Sequence, residues 1–472
     1  MIQIRQTAPV LSAETPNSMR WSASLIPTKG PRTQVGILLT IILCLIIWGP
    51  PRLRFDARPM DISLNDPFNL DLPALFQLGA LACGASTCLV LGLTLSAAGL
   101  GVIKQLMRGP LRWYLVLVFL GIASAAYSVR PLYTLHFGIK LAVTVCLPLL
   151  VVARNGRFNI CHPLWCLGII KGVQATVILG ASFFVPQLVG ETLPGGSYRI
   201  TGGPFNDFGS SAAIALIGMT IILTERLSLK LRITLWLLAA SMLMQLYLVR
   251  GRGAWIEVVV GCVAAFGIKF PRRLVPVMSV ALLLSVALVT ANDYQEILNY
   301  LRRGQSDVEL YSASGRVQAF DYLAGISAEQ PVLGFGYAAG SRLAMISFAA
   351  HTGLGMGAAH DIVSRSLADL GYVGLSIVVM IYLSAGVLIF KVARARMRLS
   401  QFGSSAAAIS TGILLMELLS GANGGGILEA STVVPICLLV LRAALSSDFP
   451  LQNGGFTGQL YSYSAENSFG GS

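Results

Sequence analysis

One run of the chain, LGYVGLSIVVMIYLSAGVLIF at residues 370–390, contains no charged side chain. An α-helix rises about 1.5 Å per residue, so this run alone is long enough to cross the ~30 Å hydrocarbon core of a bilayer. Similar apolar runs of about twenty residues recur along the chain and are separated by polar loops. The pattern predicts an all-α polytopic membrane protein.

The composition supports the same fold class. Hydrophobic residues make up 55% of the 472 residues and charged residues only 12%. Soluble proteins carry roughly 25% charged residues because their surface faces water, so the composition favours one helical bundle over two or three soluble domains. The apolar runs predict about twelve transmembrane helices, near 33–49, 73–100, 112–130, 132–152, 163–189, 205–224, 231–249, 253–270, 272–291, 361–390, 404–422 and 427–445.

Five regions follow from these runs. They are a cytoplasmic N-terminal tail at 1–32, helices one to nine within 33–291, a periplasmic loop at 292–360, helices ten to twelve within 361–445, and a flexible C-terminal tail at 446–472. The loop before the tenth helix is too long to lack structure, and we expect it to be large and partly helical. The first thirty residues lack the short apolar core of a secretory signal, so the first helix is expected to be uncleaved.

The net charge of +13 comes from basic residues in the short loops rather than from one stripe. That distribution argues against nucleic acid as a partner and favours the positive-inside arrangement. It predicts a multi-pass membrane protein with both termini in the cytoplasm. Cys161, His162 and Cys166 resemble metal ligands but lack a fourth member, so no metal site is predicted.

On the predicted outer face, Arg250 and Arg252 occupy the segment VRGRGA between two apolar helices. They are either interfacial arginines with extended side chains or a pair of guanidinium groups that bind a diphosphate. Arg199 precedes the next helix on that face and is a third candidate. Asn206 or Asp207 is expected to cap that helix.

Two histidines, His351 and His360, also fall on the outer side. His360 stands where the loop meets the tenth helix, near the depth of lipid headgroups, and can serve as a general base. Four ionisable residues lie inside predicted helices and indicate either structural ion pairs or a proton path: Lys140, Lys171, Glu257 and Glu417.

Several short motifs occur in a characteristic order. They are RITG at 199–202 followed by Asn206 and Gly209, GRGA at 251–254, SGRVQAF at 314–320, EQPVLGFG at 329–336, and His360-Asp361 followed by LADLGYVG at 367–374. Together they resemble the O-antigen ligase and Wzy-type polysaccharide polymerase superfamily over about Arg199 to Val378. Phe320 replaces the commoner Trp, and Asp361 replaces the usual Asn.

The resemblance implies a glycosyl transfer at the periplasmic face that needs neither a metal nor another cofactor. The donor would be a saccharide on undecaprenyl diphosphate, and the acceptor would be a glycan or a lipid-linked hydroxyl. Arg252 and His360 would be catalytic, and the diphosphate would be bound by Arg250, Arg252, Arg199 and Arg316. Asp361 and Asp369 would support the site, and a carboxylate paired with His360 would raise its pKa.

Three variants of this transfer remain open: a polymerase for an exopolysaccharide or O-antigen, which we slightly favour, a ligase, and a protein-directed transferase. Expected partners are the lipid-linked saccharide, membrane lipid and a chain-length regulator of the same pathway. A transporter or flippase of lipid-linked saccharides is the alternative of a different class. The buried charges would suit it, whereas the lack of repeat symmetry does not.

Overall fold

The computed structural model describes most of the helical part of the chain. The described residues are 31–48, 72–155, 162–192, 198–201, 209–225, 227–273, 316–352, 361–399, 401–423, 428 and 431–445. His360, Asn206 and Asp207 lie outside them. For Arg252 and Arg316 only the backbone is described.

The helices run in this order. They are α1 Pro31–Trp48, α2 Leu72–Leu93, α3 Ala97–Leu106, α4 Pro110–Ala123, α5 Pro131–Asn155, α6 His162–Phe184, α7 Pro186–Val189, α8 Ser210–Ile222, α9 Leu229–Val249, α10 Arg252–Lys269, α11 Arg316–Ser327, α12 Ala339–Thr352, α13 Ile362–Ala395, α14 Gln401–Asn423 and α15 Val433–Ala444. Strands β1 Gly190–Thr192 and β2 Tyr198–Ile200 pair antiparallel between α7 and α8. Short 3₁₀ turns include Ser124–Ala126 and Arg396–Arg398.

Within the described residues, five helices are long and apolar enough to cross a membrane: Pro131–Ala153, Pro163–Phe184, Leu229–Val249, Ile362–Ala395 and Gly403–Gly421. The bent pair Leu78–Leu93 and Ala97–Leu106 makes a sixth candidate. The predicted fold class, an all-α polytopic membrane protein, is therefore supported. Helices stand at every predicted position that is described; the predicted helix at 272–291 lies almost wholly outside the described residues.

The predicted helix over 73–100 is longer than one membrane span needs, so the sequence allowed a tilt or an interfacial turn within it. The structure shows a bend of 115° after Leu93. Ser96 starts the new helix α3 because its hydroxyl oxygen accepts a hydrogen bond from the Gly99 N–H at 3.1 Å. A serine at this position satisfies a backbone donor that a helix start leaves unpaired, and composition alone does not reveal it.

The helix predicted over 163–189 was also too long. Helix α6 ends at Phe184, and Pro186 begins a separate single turn, because proline disfavours a helical conformation in the residue before it. The chain then forms the hairpin β1–β2. Within the predicted loop 292–360, helices α11 and α12 occupy the described part.

The helices α8, α10 and α14 cross at very short distance. A Cβ atom on Gly412 would lie 2.5 Å from the Gly261 carbonyl oxygen, so both positions require glycine for this approach. At the end of these helices where α8 and α10 terminate, Lys269 forms an ion pair with Glu225, and the Ser405 hydroxyl donates to Glu225 at 2.6 Å. These contacts tie the three helices together at that end.

Candidate functional site

Helix α13 is interrupted at Gly371, where φ is 62° and ψ is −159°. The segment Pro331–Gly336, which we call the strap, crosses this interruption. The N–H groups of Tyr372 and Val373 donate to the Pro331 and Val332 carbonyls at 2.8 and 3.3 Å. The strap thus satisfies backbone groups that a broken helix would leave unpaired.

The strap donates to α13 as well as accepting from it. The N–H groups of Phe335 and Gly336 bond the carbonyls of Ala368 and Asp369, each at 2.9 Å. The motifs at 329–336 and 367–374, which the resemblance placed in one family pattern, are therefore in direct contact.

Glycine is required on both sides of this contact. A Cβ on Gly371 would lie 2.4 Å from the Val332 carbonyl carbon, and one on Gly334 would lie 2.6 Å from that of Asp369. The dihedral angles of Gly371 also fall in a region that is essentially restricted to glycine. Both glycines of the motif are explained by close backbone packing rather than by ligand binding.

Asp369, predicted to support the site, is fully buried beside the strap. Its Oδ1 accepts a hydrogen bond from the Ser341 N–H at 2.7 Å and so caps the first turn of α12. Its Oδ2 lies 3.8 Å from Nε of Arg365, one helical turn earlier in α13. Asp369 therefore fixes the position of α12 and of an arginine.

Arg365 was not among the predicted site residues. Its side chain is 13% exposed, and Nη2 donates to the Leu428 carbonyl at 3.4 Å. The Tyr337 hydroxyl donates to the same carbonyl at 2.8 Å. The sequence did contain a signal that could have identified Arg365: it and Asp369 are a charged pair four residues apart in an apolar helix.

Asp361, the departure from the usual Asn, is the N-cap of α13. Its carboxylate accepts a hydrogen bond from the Ser364 N–H at 2.6 Å. Asn and Asp cap helices about equally well, so the replacement keeps this role. The pairing of Asp361 with His360 remains a prediction, because His360 lies outside the described residues.

Arg250 and Arg252 flank the connection between α9 and α10. Arg250 ends α9 in the left-handed conformation, with φ at 52°, and Arg252 is the first residue of α10. We call residues 249–252 the arginine turn. Gly209, the N-cap of α8 with φ at 99°, packs beside it: a Cβ there would lie 3.2 Å from Leu246 Cδ2 and 3.6 Å from Val249 Cγ1.

The hairpin brings Arg199 to the end of the bundle where the arginine turn lies. Ile200 is fully buried against Val249 and Ile178. The Arg199 guanidinium lies 3.5 Å from the carboxylate of its cross-strand neighbour Glu191. The sequence predicted a structured turn here but missed Glu191, whose charge partly offsets that of Arg199.

The hairpin is held in place by its first residue on strand β2. The Tyr198 hydroxyl donates to the Pro186 carbonyl at 3.0 Å. Burial raises the pKa of that hydroxyl, which keeps it protonated and able to donate. The predicted diphosphate ligands Arg199, Arg250 and Arg252 are therefore brought to one end of the bundle by α9, α10 and the hairpin.

Arg316 belongs instead to the strap side. It begins α11, which packs on α12 and α13 through a cluster containing Leu323, Phe348 and Ala368. On the strap side, the Leu428 carbonyl accepts hydrogen bonds from Arg365 and Tyr337. Ser431, three residues later, lines a cavity together with Ser210, the residue after Gly209.

Comparison with known families places this arrangement. Residues 235–379 match the family model described as O-antigen ligase, which covers about a third of the chain. The matched range begins in α9 and ends in α13, so it includes the arginine turn, the strap and the broken helix. No curated protein matches the chain. The match confirms the motif-based resemblance for residues 235–379: this part of the chain is similar to the O-antigen ligase family, and the long apolar helices indicate an integral membrane protein.

Proposed function

We propose that this protein transfers a glycan from undecaprenyl diphosphate to an acceptor hydroxyl at the periplasmic face of the bacterial inner membrane. The observation that carries the proposal is the O-antigen ligase match at 235–379, which contains every predicted site residue except Arg199. The gathering of Arg199, Arg250 and Arg252 at one end of the bundle supports a site for an anionic leaving group.

In the proposed reaction, the acceptor oxygen forms a bond to the anomeric carbon, and the bond from that carbon to the diphosphate oxygen breaks. Negative charge grows on the departing lipid diphosphate. Arg252 and Arg250, assisted by Arg199 and Arg316, stabilise this charge, because guanidinium groups stay ionised and bind phosphate oxygens in bidentate fashion. The reaction as proposed needs no metal ion and no cofactor.

His360 is proposed to accept the proton of the acceptor hydroxyl, since imidazole titrates near neutral pH. It directly precedes Asp361, the N-cap of α13, and lies five residues before Arg365. Asp361 and Asp369 are proposed to position other groups: Asp361 caps the start of α13, and Asp369 holds α12 and Arg365 in place.

The proposed orientation places the arginine turn outside. At the opposite end of the same helices stand Lys269 with Glu225, and the basic residues Arg272 and Arg273 follow. An excess of Lys and Arg at that end supports a cytoplasmic assignment for it. The closure of α8, α10 and α14 by Lys269, Glu225 and Ser405 favours a transferase over a flippase, which must open to both sides.

Among the transferases, we favour a polymerase of an exopolysaccharide or O-antigen that uses a second lipid-linked saccharide as its acceptor. A ligase that moves a finished glycan differs only in the acceptor. A chain-length regulator of the same pathway is the protein partner expected for a polymerase.

The test labels lipid-linked saccharides in cells that lack the protein and are complemented with the parent or with His360→Ala. We expect the variant to accumulate undecaprenyl-linked glycan that a periplasm-restricted probe reaches. Single repeat units would indicate a polymerase, and long unattached chains a ligase. Glycan shielded on the cytoplasmic side would overturn the transferase and favour the flippase. Normal product with His360→Ala would remove His360 from the mechanism.

A further inference from the structure

A cavity of about 180 Å³ lies inside the helical bundle, between α6, α8, α14 and α15. Among the described residues that line it, five are polar: Lys171, Ser210, Glu417, Ser420 and Ser431. At ~30 Å³ per water molecule, the cavity has room for roughly six waters, which is far more than a packing defect provides.

The cavity begins beside the arginine turn. Ser210 directly follows Gly209, which packs against Val249 of that turn. On its other side, Ser431 follows Leu428, whose carbonyl is bound by Arg365 and Tyr337. A group attached to a diphosphate at the arginine turn would therefore reach this cavity.

The lining has the chemistry of a site for a neutral, hydroxyl-rich molecule. Three serine hydroxyls can each donate and accept a hydrogen bond, Lys171 donates, and Glu417 accepts. Lys171 is oriented by the Gln174 side chain, with Nζ 3.0 Å from Oε1. Ser420 also lies close to Glu257, a further buried carboxylate on α10.

Placing Lys171 and Glu417 inside the transmembrane bundle costs free energy. Lysine and glutamate within transmembrane helices are rare and mark functional positions, because hydrocarbon does not solvate them. A polyprenyl chain would gain nothing from such a lining. One lysine opposite one glutamate also lacks the net positive charge that a diphosphate requires.

We propose that this cavity binds the sugar ring attached directly to the donor diphosphate, with Lys171, Glu417 and the serine hydroxyls as its hydrogen-bond partners. This assignment rests on the proposed function and adds the subsite that distinguishes a glycosylated donor from the bare lipid diphosphate. Lys171 and Glu417 thereby receive a role as specificity-determining residues.

The test compares two probes on the full-length protein in detergent: bare undecaprenyl diphosphate, and the lipid-linked saccharide extracted from cells that lack the protein. We expect Lys171→Met and Glu417→Ala to weaken binding of the glycosylated probe by roughly tenfold or more, since each removes a hydrogen bond to a charged group. Binding of the bare diphosphate should change by less than about twofold, because those partners contact only the sugar.

Lys140→Met is the matched control. It removes a lysine from the transmembrane helix α5 that does not line the cavity, so both probes should bind as to the parent. Ser420→Ala is the mildest cavity variant and keeps the test valid if a charge variant does not fold.

Three results overturn the assignment. Equal weakening of both probes would place the diphosphate in the cavity, unchanged binding of both would remove the donor from it, and an equal effect of Lys140→Met would make the loss non-specific. Failure of the proposed function looks different, because the parent itself would then bind neither probe.

Discussion

The strap and the arginine turn are built in opposite ways. In the strap, backbone groups of Pro331–Gly336 form hydrogen bonds with backbone groups of α13. The two segments approach so closely that a Cβ atom on Gly371 would lie 2.4 Å from the Val332 carbonyl carbon. In the arginine turn, Arg250 ends one helix and Arg252 begins the next. Gly209 packs closely beside this turn, so that a Cβ atom there would lie 3.2 Å from Leu246 Cδ2.

This difference separates scaffold from chemistry. Motif residues on the strap side are explained by packing, so their loss should affect folding first. The proposed role of Arg250 and Arg252 is to bind the diphosphate, so their loss should affect ligand binding first.

Gly371→Ala should destabilise the protein by at least about 3 kcal/mol, because it combines a dihedral region restricted to glycine with a clash against the Val332 carbonyl. Thermal unfolding in detergent measures this. Gly386→Ala in the same helix is the control, since nothing lies within 4 Å of its Cβ position. Equal unfolding temperatures for the two variants would refute the strap as a scaffold.

Arg252→Ala should lower the rate of glycan transfer by about 10²- to 10³-fold, the cost of removing one preorganised donor from a developing charge. Its unfolding temperature should stay close to that of the parent. Arg232→Ala, which removes an arginine at the opposite end of the α9–α10 pair, is the matched control and should transfer normally. A large loss of stability in Arg252→Ala would mean that the turn is scaffold as well.

Asp369→Ala should cost about 2–4 kcal/mol of stability, because it leaves Arg365 without its buried partner and removes the cap of α12. Asp369→Asn should cost less, since an amide oxygen can still accept from the Ser341 N–H. A double-mutant cycle with Arg365→Met measures the coupling, which we expect to exceed 0.5 kcal/mol. A coupling of zero would show that the two side chains act independently.

Glu191→Gln should have the smallest effect on folding, under about 1 kcal/mol, because its pair with Arg199 is partly exposed. The change releases the Arg199 charge toward an anionic ligand, so binding of undecaprenyl diphosphate should tighten by a fewfold. Titration at low and high salt checks this, since screening should reduce the gain. Weaker binding in the variant would mean that the ion pair positions Arg199 productively.

Much of the fold could be predicted from the sequence, because long apolar runs directly indicate helices that face lipid. The runs that include α9, α10, α13 and α14 gave helices close to the predicted bounds. Breaks were harder: Ser96 and Gly371 redirect a helix through local hydrogen bonds and dihedral angles that hydropathy does not register.

The site was predictable in part. The residue types and their order pointed to Arg199, Arg250 and Arg252, and the structure brings their backbones together. Glu191, the partner of Arg199, was missed because that pairing depends on the hairpin register. Arg365 was missed although its spacing of four residues from Asp369 in an apolar helix is visible in the sequence. The cavity at Lys171 and Glu417 joins residues about 250 positions apart, which no single sequence reveals.

The most direct test of this account is the binding of undecaprenyl diphosphate to purified parent, Arg252→Ala and Arg365→Met proteins, with unfolding temperatures measured on the same samples. We predict that Arg252→Ala loses at least about tenfold in affinity at an unchanged unfolding temperature, since a bidentate guanidinium contact is removed. Arg365→Met should lose stability while keeping most of its affinity. The reverse pattern, in which Arg252→Ala unfolds early and binds normally, would contradict the assignment of the arginine turn as the diphosphate site.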